Sequence, residues 1–151
     1  MSGARSYLLD TNVVLHATRE NSAVSRAIDA QFGLSTSRFR PAICEVSIAE
    51  LLAFAHSSRW GARRIEKLQG EIARCLVVPI STPGLHERWA EMSTALKADG
   101  RTIGQNDIWI AAAASVTGLT LLSTDGDFGW LQKLKLVDAV LVDGKSGMRI
   151  E

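Results

Sequence analysis

The sequence predicts an α/β fold in which a central, mostly parallel sheet lies between two layers of helices. Three observations predict it. Short apolar runs, often β-branched, alternate with longer segments whose apolar residues recur at helical spacing, the pattern of strand and helix units wound around a parallel sheet. The 151 residues are 46% apolar, enough to bury one substantial core without metal or disulfide staples. No linker, repeat or low-complexity block divides the chain, so a single domain over residues 1–151 is expected.

Each element follows from local chemistry. Tyr7-Leu8-Leu9 is a strand-like run ending at Asp10-Thr11-Asn12, residues that readily cap a helix, before Val13-Val14-Leu15 resumes. Ala23 to Phe32 has weaker helical spacing, closed by Gly33 and the loop Leu34-Ser35-Thr36-Ser37. Pro41 to Cys44 reads as a brief strand. From Ser47, the spacing of Ile48, Leu51, Leu52 and Ala55 predicts a helix to about Ser57, and Ser47-x-x-Glu50 matches a capping box at its start. Gly61 to Arg74 places Ile65, Leu68 and Ile72 on one face of an amphipathic helix, followed by the strand Leu76 to Ile80.

Pro83 suits a first helical turn, and Leu85, Trp89, Met92 and Leu96 continue that helix until Asp99-Gly100 stops it. Asn106 or Asp107 opens an Ala-rich helix that runs from Ile108 to Val116 and ends at Gly118. Leu119 to Ser123 is a strand, Asp125-Gly126-Asp127 breaks it, Phe128 to Leu131 form a short helical turn, and Ala139 to Val142 supply a last strand.

Composition excludes several function classes. Cys44 and Cys75 form no C-x-x-C pair, which argues against a zinc knuckle or disulfide framework and suits a reducing, cytoplasmic location. No window reaches the roughly 18 to 20 apolar residues of a membrane span, and MSGARSYLLD lacks the apolar stretch and cleavage site of a leader, so a soluble, unprocessed protein is expected. His16, His56 and His86 lack the i, i+4 partner of a helical zinc site and read as surface or packing residues. The net charge of +1 decides nothing about a polyanionic partner, because the distribution of charge matters more than its sum.

The chemistry rests on acids. In an open parallel sheet the functional crevice lies beyond the carboxyl ends of the strands. Asp10 and Asp125 follow predicted strands, while Glu50 and Asp107 fall in the first turns of helices that start at the same edge. Singly, each has another use: Asp10 as a helix cap, Glu50 in the capping box, and Asp107 as a favourable charge at a helix N-terminus. Together, four converging carboxylates repel one another unless a cation neutralises them or some are protonated. Oxygen ligation without nearby histidine or cysteine suits Mg²⁺ or Mn²⁺ and points to phosphoryl chemistry.

The segments LLDTNVVL, SIAELL, GQNDIWIAAAA and LLSTDGDF, in this order over nearly the whole chain, resemble the PIN-domain nucleases, most closely their VapC-type toxins. The resemblance implies a PIN-like three-layer α/β/α sandwich and a Mg²⁺-dependent or Mn²⁺-dependent ribonuclease. It puts Asp10, Glu50 and Asp107 at the three core acids and Asp125 at the more variable fourth. Ser123, where the family often has threonine, would help Asn12 and Asn106 orient carboxylates or waters. Asp127 reads as structural, capping the short turn after Asp125. Glu50 is open to either role, metal ligand or base for the attacking water.

Arg59, Trp60, Arg63, Arg64 and Lys67 form the densest basic segment. They could hold RNA phosphates while Trp60 stacks on a base, or form a solvated helix face. The resemblance also implies a cognate antitoxin and a homodimer, with Ala53, Phe54 and Trp60 as interface candidates. Two alternatives stand beside the toxin: a PIN nuclease of RNA processing, and a catalytically silent PIN-like RNA-binding module, which would be expected to lose an acid. A phosphotransfer receiver or phosphatase would need a lysine after a later strand, and Lys133 and Lys135 lie outside any strand end.

Overall fold

The computed structural model describes residues 5–150. The expectation about a leader concerns in part Met1–Ala4, outside the described residues. Among the described residues the elements are β1 (Tyr7–Leu9), α1 (Thr11–Ala17), α2 (Ala23–Phe32), β2 (Ala42–Cys44), α3 (Glu45–Ser57), α4 (Ala62–Ala73), β3 (Leu76–Val78), α5 (Leu85–Ala98), α6 (Gln105–Thr117), β4 (Thr120–Ser123), α7 (Phe128–Lys133) and β5 (Ala139–Leu141). No helix among them is long and apolar enough to cross a membrane.

The strands form one sheet in the order β3-β2-β1-β4-β5. Every pairing is parallel, a stricter arrangement than the mostly parallel sheet expected. The chain moves outward from β1 through β2 to β3, then returns to lay β4 on the other side of β1. Neighbouring strands therefore diverge in winding direction between β1 and β4, and a crevice opens there beyond their carboxyl ends.

Side-chain alternation divides the interior into two cores. Leu8, Ala42, Leu121 and Ala139 face one, with Leu85, Met92 and Leu96 of α5, Ala111 to Ala114 of α6, and Phe128 and Leu131 of α7. Leu9, Ile43, Leu122 and Val140 face the other, with Val13 and Val14 of α1, Ile28 of α2, Leu51 and Ala55 of α3, and Leu68 of α4. This is the predicted three-layer arrangement. The Ala run explains how close α6 sits: four successive residues, Ala111 to Ala114, are wholly buried, and methyl side chains let the helix backbone approach the sheet.

Several predicted boundaries move. β2 runs directly into α3, which starts at Glu45 with Cys44 at its N-cap and no side-chain cap. Ser47-x-x-Glu50 is therefore no capping box, and Glu50 lies in the second turn. Glu45, the true first residue, accepts a hydrogen bond from the backbone of Ile80 beyond β3. Pro83 precedes α5 instead of entering its first turn, because Gly84 takes the N-cap in a left-handed conformation. α6 begins at Gln105, ahead of both residues expected to open it. Leu141 ends β5, and Val142 forms an isolated antiparallel bridge with Arg149.

Helix ends show how sequence stops each element. At α5 the N–H of Arg101 donates to Leu96 O at 2.9 Å and that of Gly100 to Lys97 O at 3.0 Å, a Schellman closure with Gly100 left-handed. Gly118 closes α6 the same way, whereas Arg59 and Lys135 occupy the equivalent left-handed positions after α3 and α7. A Cβ at positive φ is strained, so Gly118→Ala should lower the unfolding free energy by about 1 kcal/mol, and Lys135→Gly should raise it. Urea unfolding midpoints check both, and a stable Gly118→Ala protein would contradict this account of the helix stops.

Candidate active site

Parallel pairing of Leu9 with Leu122 sets the carboxyl ends of β1 and β4 side by side. Asp10 is the first residue past β1 and is only 3% exposed. Its N–H still belongs to the sheet, donating to Leu122 O at 3.0 Å. Its side chain caps α1, Oδ1 accepting from the Thr11 N–H at 2.8 Å. Ser123, the last residue of β4, donates from Oγ to Asp10 Oδ2 at 2.7 Å and accepts from the Asp125 N–H at 2.9 Å. One buried hydroxyl thus ties the acid after β1 to the turn that carries the acid after β4.

Glu50 comes from α3. The Thr11 hydroxyl donates to Glu50 Oε1 at 2.7 Å and shares a hydrogen bond with the buried Ser47 hydroxyl at 2.9 Å. Asn106 Nδ2 donates to Glu50 Oε2 at 3.4 Å. Asp107 stands in the first turn of α6, where the helix dipole favours a negative charge. Asp10, Thr11, Asn12, Leu15, Glu50, Leu51, Phe54 and Asp107 line one cleft of about 200 Å³.

The acids sense one another. Burial raises the Asp10 carboxyl to about 6 against the opposing hydrogen bonds from Ser123 and Thr11, and the charges of Asp125 and Glu50 push the same way. Asp107 rises to about 7, chiefly through burial, then through the charges of Asp10, Asp125, Glu50 and Asp127. Among the described residues, no three His, Cys, Asp or Glu side chains are placed to close around one ion. The acids instead face the cleft from separate elements. Their all-oxygen donor set and mutual repulsion fit a hard divalent cation such as Mg²⁺ or Mn²⁺.

The fold therefore brings together Asp10, Glu50, Asp107 and Asp125, with Ser123 and Asn106 bonded to them. Asn12 lines the cleft but is exposed and bonds none of the acids. Thr11 takes that part, because successive helical residues point about 100° apart and the first position of α1 faces α3. Sequence reasoning missed Thr11 and misassigned Ser47; the threonine between Asp10 and Asn12 was the available signal. Asp127 occupies the N-cap of α7 without a side-chain cap bond. The capping interaction there is made by Asp125, whose Oδ1 accepts from the Asp127 N–H at 2.9 Å.

The basic segment lies farther along α1. Arg64 stacks its guanidinium 3.7 Å over Trp60 and reaches Thr18 Oγ1 at 3.4 Å, while Lys67 Nζ donates to Arg19 O at 3.1 Å. Arg63 pairs with Glu20 at 3.3 Å, both exposed. Trp60 meets Phe54 edge-on at 5.9 Å, and Phe54 lines the acidic cleft. The segment thus adjoins the cleft, with one face of Trp60 already covered by Arg64. His86 lies against Trp109, ring centroids 5.9 Å apart, a packing role as expected.

A family model described as PIN domain matches residues 7–134. The chain belongs to the PIN domain family. Ribonuclease VapC2 of Haemophilus influenzae is 26% identical to it over 119 residues, covering 79% of this chain and 86% of that protein. Ribonuclease VapC5 of Mycobacterium tuberculosis is 28% identical over 138 residues, covering 89% and 94% respectively. Among solved structures, VapBC2 from Rickettsia felis bound to a DNA fragment from their promoter superposes with a TM-score of 0.74 at 22% identity, covering 88% of this chain and 96% of that one. At that identity the likeness establishes the PIN fold.

In this PIN domain the raised carboxyls make stability depend on pH in a defined direction. Folded Asp107 holds its proton up to about 7, whereas an unfolded aspartate releases it near 3.8, so between those values the folded state binds more protons. Its contribution is present below 3.8 and is lost as pH rises through 7. In EDTA, the melting temperature should fall by several degrees between pH 5 and pH 8. Asp107→Asn should melt above the wild type at pH 8, by a margin that narrows at pH 5 and closes only as the pH approaches 3.8. An Asp107→Asn protein that is no more stable than wild type at pH 8 would show that burial and the neighbouring acids do not raise Asp107.

Proposed function

We propose that this PIN domain is a metal-dependent endoribonuclease of the VapC kind, the toxin of a toxin–antitoxin pair, which hydrolyses RNA phosphodiester bonds. The observation that carries the proposal is a buried Asp10 and a half-buried Asp107, both pushed up chiefly by burial and then by neighbouring carboxylates, Asp125 and Glu50 acting on Asp10 and Asp10 itself on Asp107, facing one cleft with Glu50 and with Asp125 beside them. Local capping accounts for Asp10 and Asp125 singly but not for the convergence of the acids, which stores repulsion that a divalent cation relieves. Relatives named Ribonuclease VapC2 and Ribonuclease VapC5, aligned over most of this chain, support the reaction class.

In this reading Asp10, Asp107, Glu50 and Asp125 would hold Mg²⁺ or Mn²⁺, which when bound supplies a Lewis acid that polarises the phosphate and lowers the pKa of water. The protein's own part is positioning. Ser123 and the Thr11 N–H fix both oxygens of Asp10. Thr11 and Asn106 fix the two oxygens of Glu50, which then acts as ligand or as acceptor of the proton from the attacking water. Leu15, Leu51 and Phe54 form an apolar wall that limits water in the cleft. Arg59, Trp60, Arg63, Arg64 and Lys67 would receive the RNA backbone on one flank.

A cognate antitoxin and a second copy of the chain are the proposed partners, and a cytoplasmic location is proposed with them. Exposed Leu52 and Phe54 on α3, 48% and 45% exposed, support an interface there beside Ala53 and Trp60. Solved relatives of this fold include VapBC assemblies, which supports the antitoxin.

Asp10→Asn and Asp107→Asn should each lower Mg²⁺-dependent RNA cleavage by about 10³-fold or more, roughly 4 kcal/mol of transition-state stabilisation. EDTA should abolish cleavage by the wild type, and Mn²⁺ should restore it. Undiminished cleavage by either purified variant would overturn the mechanism. Thr11→Val should weaken Mg²⁺ binding about tenfold or more, while Thr11→Ser keeps it, as titration calorimetry can measure. Equal affinity of the valine variant would remove Thr11 from the site.

A further inference from the structure

We infer that Arg101, Trp130 and Lys133 form a second site for the RNA backbone, on the flank of the acidic cleft opposite the α1 and α4 basic segment. The inference rests on the ribonuclease reading for its substrate class, but on different residues and a different corner of the fold. Arg101 sits in the loop between α5 and α6, and Trp130 and Lys133 on α7. Both elements open at the carboxyl edge of the sheet: α6 brings Asp107 to the cleft three residues after Gly104, and α7 follows directly from Asp125 and Asp127. Trp130 is one turn along from Asp127, its N–H donating to Asp127 O at 3.2 Å.

The corner holds two cations on one aromatic ring. The Arg101 guanidinium lies 3.5 Å from the Trp130 ring centroid, and Lys133 Nζ lies 4.4 Å from it. The indole attracts each cation, yet the two repel one another. Their neutralisation is slight: Arg101 Nε meets Asp99 Oδ2 at a long 3.4 Å, both side chains 42% exposed, and Lys133 has no hydrogen-bond or ion-pair partner among the described residues. A backbone phosphate at either cation, or successive phosphates at both, would supply the missing counter-charge. Beyond the Nε contact with Asp99, the stacked guanidinium keeps its Nη1 and Nη2 donors without a partner among the described residues, and that pair matches a phosphate.

The backbone places Arg101 with little freedom. The Schellman closure at Gly100 fixes its N–H on Leu96 O, and Ile103, 9% exposed, anchors the loop two residues later. Stacking on Trp130 orders the side chain before any ligand arrives, which reduces the entropy lost on binding. Such a device has a reason here. A cleft ringed by carboxylates repels a polyanion, so the phosphates on either side of the reacting bond need cations of their own. The Arg64 segment serves one flank. Arg101 and Lys133 serve the other, and a single strand then crosses the acids between them.

The test measures binding and cleavage separately, using one fluorescein-labelled single-stranded RNA oligonucleotide. Fluorescence anisotropy across a salt series gives the slope of log Kd against log salt, with Ca²⁺ in place of Mg²⁺ to suppress turnover. Arg101→Ala and Lys133→Ala should each shallow that slope by about 0.7, and the double variant by about twice that. KM for cleavage in Mg²⁺ should rise about tenfold in the double variant with kcat little changed. Arg101→Lys should retain most of the slope. Arg38→Ala, an exposed charge in the loop before β2 at the opposite edge of the sheet, should leave both readouts unaltered. Unchanged slopes in well-folded variants that still cleave would overturn the inference and leave the ribonuclease reading intact. A wild type that binds with these slopes but never cleaves would overturn the ribonuclease reading alone. Competition by polyglutamate as effective as by unlabelled RNA would make the corner a general anion site and overturn its assignment to RNA.

Discussion

The buried carboxylate of Asp10 sits where the sheet reverses its winding, between the ends of β1 and β4, and the rest of this edge is arranged around it. Its two oxygens are occupied by a backbone N–H and a serine hydroxyl, donors that satisfy hydrogen bonding but carry no charge. A negative group removed from water in this way is held in place by geometry alone. The same geometry requires Ser123 to end β4 and Thr11 to begin α1, and Thr11 in turn reaches Glu50 on α3. Three elements remote in sequence are thereby fixed relative to one carboxyl group.

Asp107 depends on a different constraint. It reaches the cleft because α6 is packed tightly into the fold, and the four buried alanines Ala111 to Ala114, beside Ile108 and Ile110, let neighbouring elements approach its backbone. Larger side chains along Ala111 to Ala114 would lift the helix and carry Asp107 outward. The charge at this edge is therefore set by packing on the α5–α7 face as much as by the acids themselves. Two cations are likewise held by indole rings, Arg64 by Trp60 and Arg101 by Trp130.

Much of the site was legible from local pattern. Asp10 interrupts an apolar run, Asp125 follows one, and Asp107 heads a helix too apolar to be exposed, so each could be placed at a strand or helix end without coordinates. Glu50 was placed at the correct edge for an incorrect reason. A serine and a glutamate three residues apart can form a capping box, but the same spacing puts both on one face of a helix interior. Choosing between them requires knowing that β2 enters α3 without a loop, which depends on how Pro41 to Cys44 pairs with its neighbours. Asn12 and Thr11 were exchanged for a similar reason, since only the position of α3 decides which side of α1 looks inward.

By itself the sequence determined the alternation of strands and helices, the helix stops at Gly33, Gly100 and Gly118, and the presence of acids at element ends, because periodicity, capping and left-handed turns are properties of a few neighbouring residues. The three-layer architecture was within its reach for the same reason, and the PIN family through the resemblance of the LLDTNVVL, SIAELL, GQNDIWIAAAA and LLSTDGDF segments. The tertiary structure alone decided which hydroxyls hold the acids around Asp10, that Asp127 adds its charge to Asp107, and that Arg101 and Lys133 both lie against Trp130. Those relations join residues far apart in the chain, and they exist only once the parallel pairing of β1 with β4 has set the ends of both strands at a common edge.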